Sequence, residues 1–126
     1  MATQKTKLAY RTVIAVKWYL KRNGYEILES AKEMNPCQII ALNPNKDSIA
    51  FIHTDYILGS SDDVPEKFVA IESKLDRQEF ERQAIKWLCN NNDIIDVAVR
   101  FDCAICDILS NDRALIRHHI NILGEN

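Results

Sequence analysis

The run FIHTDYI, residues 51–57, places a histidine and an aspartate two positions apart in an otherwise apolar segment. Alternate residues of a β-strand point to the same face of a sheet, so His53 and Asp55 are predicted to lie side by side. An imidazole beside a carboxylate can transfer a proton or bind Zn²⁺ or Mn²⁺. The alternative is a hydrated polar patch that does no chemistry. No third converging ligand is evident, so the polar patch is favoured.

A second set of candidate ligands lies near the end of the sequence. Cys103 and Cys106 form a C-x-x-C motif, and His118 and His119 follow it. Such residues bind zinc in many proteins. Here both pairs fall in predicted strands, where residues three apart, or adjacent, point to opposite faces. Convergence on one tetrahedral ion is therefore not expected. The four cysteines are interpreted as small buried hydrophobic residues: Cys37, Cys89, Cys103 and Cys106.

Asp102 interrupts the apolar run at 95–109. A charge within such a strand needs a partner, because an unpaired buried carboxylate is costly. Arg100 is two positions away and therefore on the same face of the strand. The sequence predicts a structural role for Asp102, through an ion pair with Arg100 or through hydrogen bonds from the backbone, in preference to a catalytic role.

Hydrophobic periodicity predicts one mixed α/β domain with a central sheet and flanking helices. Gly24 is expected to end the first helix, and Asp76 with Glu79 to form a capping box for the second. Residues 58–66 are predicted to be a loop, and 66–72 fit either a helix or a strand. The predicted helices cover 7–23 and 75–90, and the predicted strands cover 25–30, 37–43, 48–56, 95–109 and 114–123.

The composition bounds the classes of partner. Hydrophobic residues make up 47% of the 126 residues, and the formal net charge is −2. A nucleic-acid binder without an overall basic excess needs a local basic patch. The first helix offers one that could contact phosphate, although an ordinary solvated face is favoured: Lys5, Lys7, Arg11, Lys17, Lys21 and Arg22. Trp18, Phe80 and Trp87 lie at helical spacing and are interpreted as core residues in preference to base-stacking platforms.

The segments that would direct a chain to or through a membrane are not evident. The first ten residues are polar, unlike a signal peptide, and no run approaches the roughly 18 apolar residues of a membrane span. We expect a cytoplasmic protein with reduced cysteines and no membrane partner.

Four stretches occur in an order that fits a known family. Residues 20–25 read LKRNGY, 84–88 read AIKWL, 99–102 read VRFD, and 119–121 read HIN. In order and spacing these resemble motifs of the YraN-type endonuclease family, with the last asparagine displaced by one position. The family consists of distant relatives of archaeal Holliday-junction resolvases. The resemblance covers nearly the whole chain and implies a restriction-endonuclease-like α/β fold in one domain, residues 1–126.

The family's catalytic hairpin carries G-E-I-D-L-I-A on one strand and F-V-E-V-K on the next. The resemblance implies that this aspartate and glutamate hold a divalent metal beside the lysine. Aligned with these motifs, QIIA places Gln38 at the aspartate, and AFIHTD places His53 at the glutamate and Asp55 at the lysine. The family's helix-one glutamate falls near Val13. Only one carboxylate remains, so two-carboxylate metal binding is not expected.

The leading hypothesis is therefore a catalytically degenerate nuclease-fold domain that binds DNA or another nucleic acid, or a protein, and needs no cofactor. One alternative is an active nuclease with a rebuilt Mg²⁺, Mn²⁺ or Zn²⁺ site at His53 and Asp55, joined by Asp47 or Asp102. Another is a structural module that binds proteins or forms a homodimer through an exposed strand edge, such as 114–123 or the first hairpin. The sequence leaves open whether the chain is an enzyme.

Overall fold

The architecture follows the predicted order of elements except that an additional helix, which includes the ambiguous segment at 66–72, lies between the third strand and the second predicted helix. The computed structural model describes residues 4–59, 64–91, 93, 96–110 and 112–123. Within these residues no helix is long and apolar enough to cross a membrane. The elements are α1 (Gln4–Arg22), β1 (Glu26–Ser30), β2 (Ile39–Leu42), β3 (Ser48–Leu58), α2 (Val64–Ser73), α3 (Arg77–Asn90), β4 (Ala98–Ser110) and β5 (Arg113–His119).

The five strands form one mixed sheet in the order β1-β2-β3-β4-β5. The first three strands pair antiparallel, β3 and β4 run parallel, and β5 returns antiparallel to β4. Helices α2 and α3 form the crossover that a parallel pair requires. The predicted mixed α/β class is confirmed. β1 and β5 are the two edges of the sheet, as expected for the segment at 114–123. The first hairpin, formed by β2 and β3, does not offer the expected exposed edge, because it lies inside the sheet between β1 and β4.

Helix α1 covers one face of the sheet. Val13, Val16 and Leu20 are buried at helical spacing and pack on a sheet surface formed by Ile39, Ala41, Ala50, Ile52 and Ala104. The helix ends where the sequence predicts. Gly24 has a φ of +88°, a left-handed conformation that glycine adopts without strain.

Helices α2 and α3 cover the opposite face. The α3 stripe of Phe80, Ala84 and Trp87 is buried as predicted, against β2 and β3. Asp76 caps this helix by accepting a hydrogen bond from the Gln78 backbone amide at 2.9 Å. The ambiguous segment at 66–72 is helical, because α2 places Phe68 and Ile71 over β3 and β4.

Three predictions need correction. Trp18 is 65% exposed and does not belong to the core. It lies on α1 between Val16 and Leu20, which both point at the sheet, so its side chain points away. Cys89 is exposed at the end of α3, unlike the three other cysteines. The segment predicted as a loop, 58–66, is shorter than expected, because strand β3 extends to Leu58 and helix α2 begins at Val64. Residues 60–63 of that loop lie outside the described residues.

Candidate functional site

Gln38 lies just before β2, at the position where the resemblance implies a metal-binding aspartate. Its Nε2 donates to the carbonyl oxygens of Met34 (2.9 Å) and Pro36 (3.2 Å). Its Oε1 accepts from the backbone amide of Thr54 (2.7 Å) and from its hydroxyl (3.0 Å). An amide side chain has two donors and two main acceptor directions, so this one is saturated. Gln38 is 7% exposed and joins the segment before β2 to strand β3.

His53 also contacts this segment. Its Nδ1 lies 2.6 Å from the carbonyl oxygen of Pro36. A carbonyl oxygen can only accept, so Nδ1 carries the proton. Nε2 then faces Asp55, whose Oδ2 is 3.8 Å away, beyond a direct hydrogen bond. The Asp55 Oδ1 accepts from the backbone amide of Tyr56 at 2.8 Å. The predicted neighbouring placement of His53 and Asp55 is confirmed, as two partly exposed side chains.

The aligned positions therefore meet at the carbonyl oxygen of Pro36, which accepts from both Gln38 and His53. The resemblance implies a cation in this region. Instead, N–H groups of Gln38 and His53 point at the Pro36 carbonyl oxygen. An N–H donor repels a cation, so this arrangement joins a loop to a strand and forms a poor metal site. Beside it, His53 and Asp55 line an open cleft of about 310 Å³.

The two further ligands of the rebuilt-site hypothesis lie elsewhere. Asp47 accepts from Nδ2 of Asn43 at 2.7 Å in the turn between β2 and β3. Asp102 is fully buried and bonded on the α1 face of the sheet, whereas His53 lines a cleft with α2 and α3 residues. Among the residues that the structure describes, no three His, Cys, Asp or Glu side chains are grouped to hold a metal ion.

The buried carboxylate of Asp102 accepts hydrogen bonds from several neighbouring groups. Arg100 donates to both of its oxygens, from Nε (3.0 Å to Oδ1) and from Nη2 (2.9 Å to Oδ2). The predicted pair of Arg100 and Asp102 is confirmed. His118 adds a contact from Nε2 to Oδ2 at 2.7 Å, and the backbone amide of Asn121 donates to Oδ1 at 2.9 Å. Burial alone would raise the pKa of the Asp102 carboxyl, but these donors lower it below its usual value.

Two tyrosines extend this network, one from α1 and one from the residue just before β1. The Tyr25 hydroxyl accepts from Nη2 of Arg100 at 2.7 Å, and the Tyr19 hydroxyl lies 3.3 Å from Nδ1 of His118. Burial, with Tyr25 and Asp102 nearby, raises the pKa of Tyr19. The network joins α1, β1, β4 and β5 around one carboxylate. The sequence indicated only the Arg100–Asp102 pair, because the other contacts depend on how distant segments pack.

The candidate zinc ligands separate as predicted. His118 contacts Asp102 on the α1 face, and His119 contacts Glu72 of α2 on the other face. Cys103 packs beneath α2, whereas Cys106 lines a groove beside α1. Burial raises the pKa of the Cys103 thiol to about 12 and also raises that of Cys106. Neither thiol is poised as a thiolate ligand or nucleophile.

The outer face of α1 is the remaining candidate surface. Tyr10, Ile14 and Trp18, each one helical turn or so from the next, are 54%, 44% and 65% exposed. Around them lie predicted phosphate-contacting residues: Lys7, Arg11, Lys21 and Arg22 are exposed, and Lys17 is half-buried at the side. Side-chain contacts of Lys5 lie outside the described set. The guanidinium of Arg22 lies 5.6 Å from the Trp18 ring centre, and Nζ of Lys32 lies 5.9 Å from that of Tyr10.

Comparison with known proteins does not assign the chain to a family. No protein-family model matches the sequence, and no curated protein matches it. The fold and the site therefore define a mixed α/β protein with a hydrogen-bonded Gln38–Pro36–His53 cluster, a buried Asp102 network and a basic, aromatic outer helix face.

Proposed function

We propose that this protein is a nucleic-acid-binding domain of restriction-endonuclease-like fold, related to the YraN-type family, in which the catalytic centre is degenerate. The observation that carries the proposal is the charge of α1. This 19-residue helix contains six of the chain's sixteen basic residues and none of its eighteen acidic residues. A polyanion gains most of its binding free energy from such a concentration of cations.

The uneven distribution of charge indicates which surface a nucleic acid would approach. The net charge is −2, so the part of the chain outside α1 is distinctly acidic. Phosphates are attracted to the outer face of α1 and repelled by the remainder of the surface. Cations of this face such as Arg11 and Lys21 are exposed, so a phosphate can reach them.

The contacts of Gln38 and His53 support the loss of catalysis. Two-carboxylate nucleases need anionic oxygens directed at one metal ion. Gln38 presents two N–H groups to carbonyl oxygens instead, and His53 donates to one of the same oxygens. The three-stranded meander, with a helical crossover to a parallel fourth strand and helices on both faces, is compatible with the proposed fold.

The experiment measures fluorescence anisotropy of labelled duplex, branched and single-stranded DNA at about 50 mM and about 200 mM salt. We expect binding at low salt that weakens steeply at high salt. The double variant Arg11→Glu, Lys21→Glu should bind far more weakly. Lys86→Glu, an exposed charge reversal on α3, is the matched control and should bind almost as the parent does. Absence of binding by the parent protein at low salt would overturn the proposal.

A cleavage assay with Mg²⁺ or Mn²⁺ tests the degenerate centre. We expect no hydrolysis of any of these DNA substrates. Cleavage that disappears in both His53→Ala and Asp55→Ala would instead establish an active, rebuilt site, and would contradict this part of the proposal.

A further inference from the structure

The outer face of α1 carries aromatic side chains in positions where a core would not place them. Trp18 is 65% exposed and Tyr10 is 54% exposed. They are eight residues apart, or about 12 Å along the helix axis, and Ile14 lies between them on the same face. The inner face of the same helix is fully used against the sheet. These exposed rings therefore add nothing to the core, and they form a surface.

We propose that this surface binds single-stranded nucleic acid by stacking unpaired bases on Trp18 and Tyr10; the inference rests on the proposed nucleic-acid-binding function. An exposed indole can stack on an unpaired base, whereas the bases of a duplex already stack on each other. Base–aromatic stacking tolerates any sequence and adds to phosphate contacts from a basic groove. On the outer face of α1, aromatic rings and basic side chains are interleaved.

The cations beside the rings fit this ligand. Arg22 lies over the Trp18 ring at 5.6 Å, and Lys32 lies over the Tyr10 ring at 5.9 Å. Each cation therefore lies at one face of its ring, so a base would stack on the opposite face, close to a positive charge. Cation–π contact also holds the ring in a defined orientation before the ligand arrives.

A groove continues from this face. It has a volume of about 770 Å³ and runs between α1 and the strands β4 and β5. Arg11 and Ile14 belong both to the outer helix face and to this groove, and Arg113 lines the groove from β5. A flexible single strand can follow such a path.

A membrane surface is the less suitable ligand. A helix that binds a bilayer inserts a broad apolar face into the headgroup region. The broad apolar face of α1 packs on the sheet instead, with Val16 and Leu20 fully buried. Among the described side chains of α1, the large apolar ones that are exposed are Tyr10, Ile14 and Trp18, and cations lie around them.

The test compares oligothymidylate with a duplex of equal length, using the full chain. We expect Trp18→Ala to weaken oligothymidylate binding about tenfold, with duplex binding and the salt dependence unchanged. Trp18→Phe, which keeps an aromatic ring, should recover most of the affinity. Ile85→Ala is the matched control, because Ile85 is similarly exposed at 63% but lies on α3. Circular dichroism should show the same fold for all of these variants.

Two results would overturn the inference. In the first, Trp18→Ala binds oligothymidylate as the parent does while Arg11→Glu, Lys21→Glu loses binding; the proposed function then stands, but the stacking does not. In the second, poly-glutamate or anionic vesicles compete with oligothymidylate equally well at matched charge, so that the face recognises charge alone. Failure of the parent protein to bind any nucleic acid would overturn the proposed function itself. It differs from both results above, because in each of those the parent protein binds oligothymidylate.

Discussion

Gln38 and His53 donate hydrogen bonds to one atom, the carbonyl oxygen of Pro36, at 3.2 Å and 2.6 Å. The two side chains come from different segments, one just before β2 and the other within β3. Their shared acceptor fixes the loop before β2 against the sheet. The resemblance implies metal ligands at positions 38 and 53. Here the two side chains instead form a structural clamp, in which both are hydrogen-bonded to the Pro36 carbonyl oxygen.

A charge at Gln38 should break this clamp. Gln38→Glu replaces two donors with an anionic oxygen that faces the Met34 and Pro36 carbonyls. Unsatisfied buried polar groups should then lower the free energy of unfolding by about 1–3 kcal/mol. Urea denaturation measures the change. The matched variant Gln78→Glu, at an exposed position near the start of α3, should lie within about 0.5 kcal/mol of the parent. Stabilisation of Gln38→Glu by millimolar Mn²⁺ would show instead that a carboxylate here rebuilds a metal site.

Removal of the Asp102 carboxylate should be far more costly. Asp102→Ala leaves Arg100 largely buried without its partner and also removes an acceptor from His118. Loss of one member of a buried ion pair typically costs about 3–5 kcal/mol. Glu81→Gln is the control, because the described pair of Glu81 with Arg77 is exposed and worth less than about 1 kcal/mol. Equal unfolding free energies for these two variants would contradict the central role of the Asp102 network.

The same carboxylate should make stability depend on pH in the acid range. Its pKa is lowered in the folded protein. A depressed folded pKa contributes stability above the unfolded value of about 3.9, and this contribution is lost as the pH falls through the folded pKa. Unfolding free energies measured from about pH 7 down to about pH 2 should therefore fall less steeply in Asp102→Asn than in the parent. If the unfolding free energies of the two proteins fall with equal slope at acid pH, Asp102 is not the source of this pH dependence.

The two tryptophans should differ sharply in their contribution to stability. Trp18→Ala removes an exposed ring and should change the free energy of unfolding by no more than about 0.5 kcal/mol. Trp87→Ala empties a site that is only 9% exposed and should cost about 3–5 kcal/mol. It also removes a hydrogen bond from the indole Nε1 to Glu29 at 3.0 Å. Thermal or urea denaturation of both variants measures the difference, and similar losses would contradict the observed placement of Trp18.

The cysteines should divide into one reactive thiol and three protected ones. Cys89 is exposed, whereas Cys37, Cys103 and Cys106 are buried. Burial raises the pKa of each of the three buried thiols, so little thiolate is available for reaction. Titration with a thiol reagent should give one fast equivalent in the folded protein and four in denaturant. The Cys89→Ser variant should lose the fast phase, and a remaining fast phase would show that the core opens readily.

Much of the fold could be predicted because its causes are local. The alternation of side chains along β4 places Arg100 and Asp102 on one face, and sends Cys103 and Cys106 to opposite faces. The helical stripe of α3 and its Asp76 cap follow from residues a few positions apart. The segment at 66–72 could not be assigned locally, since its helix is stabilised by what it covers on the sheet.

The sequence by itself determined the order of the elements apart from α2, and it indicated the Arg100–Asp102 pair, because periodicity and short spacings act within one helix or strand. Only the tertiary structure decided that His118 joins Asp102, which depends on the register of β4 with β5. It also decided that all the hydrogen-bonding groups of the Gln38 amide are satisfied by Met34, Pro36 and Thr54. These contacts join segments whose relative positions are set by packing of the whole sheet, and no local pattern contains that information.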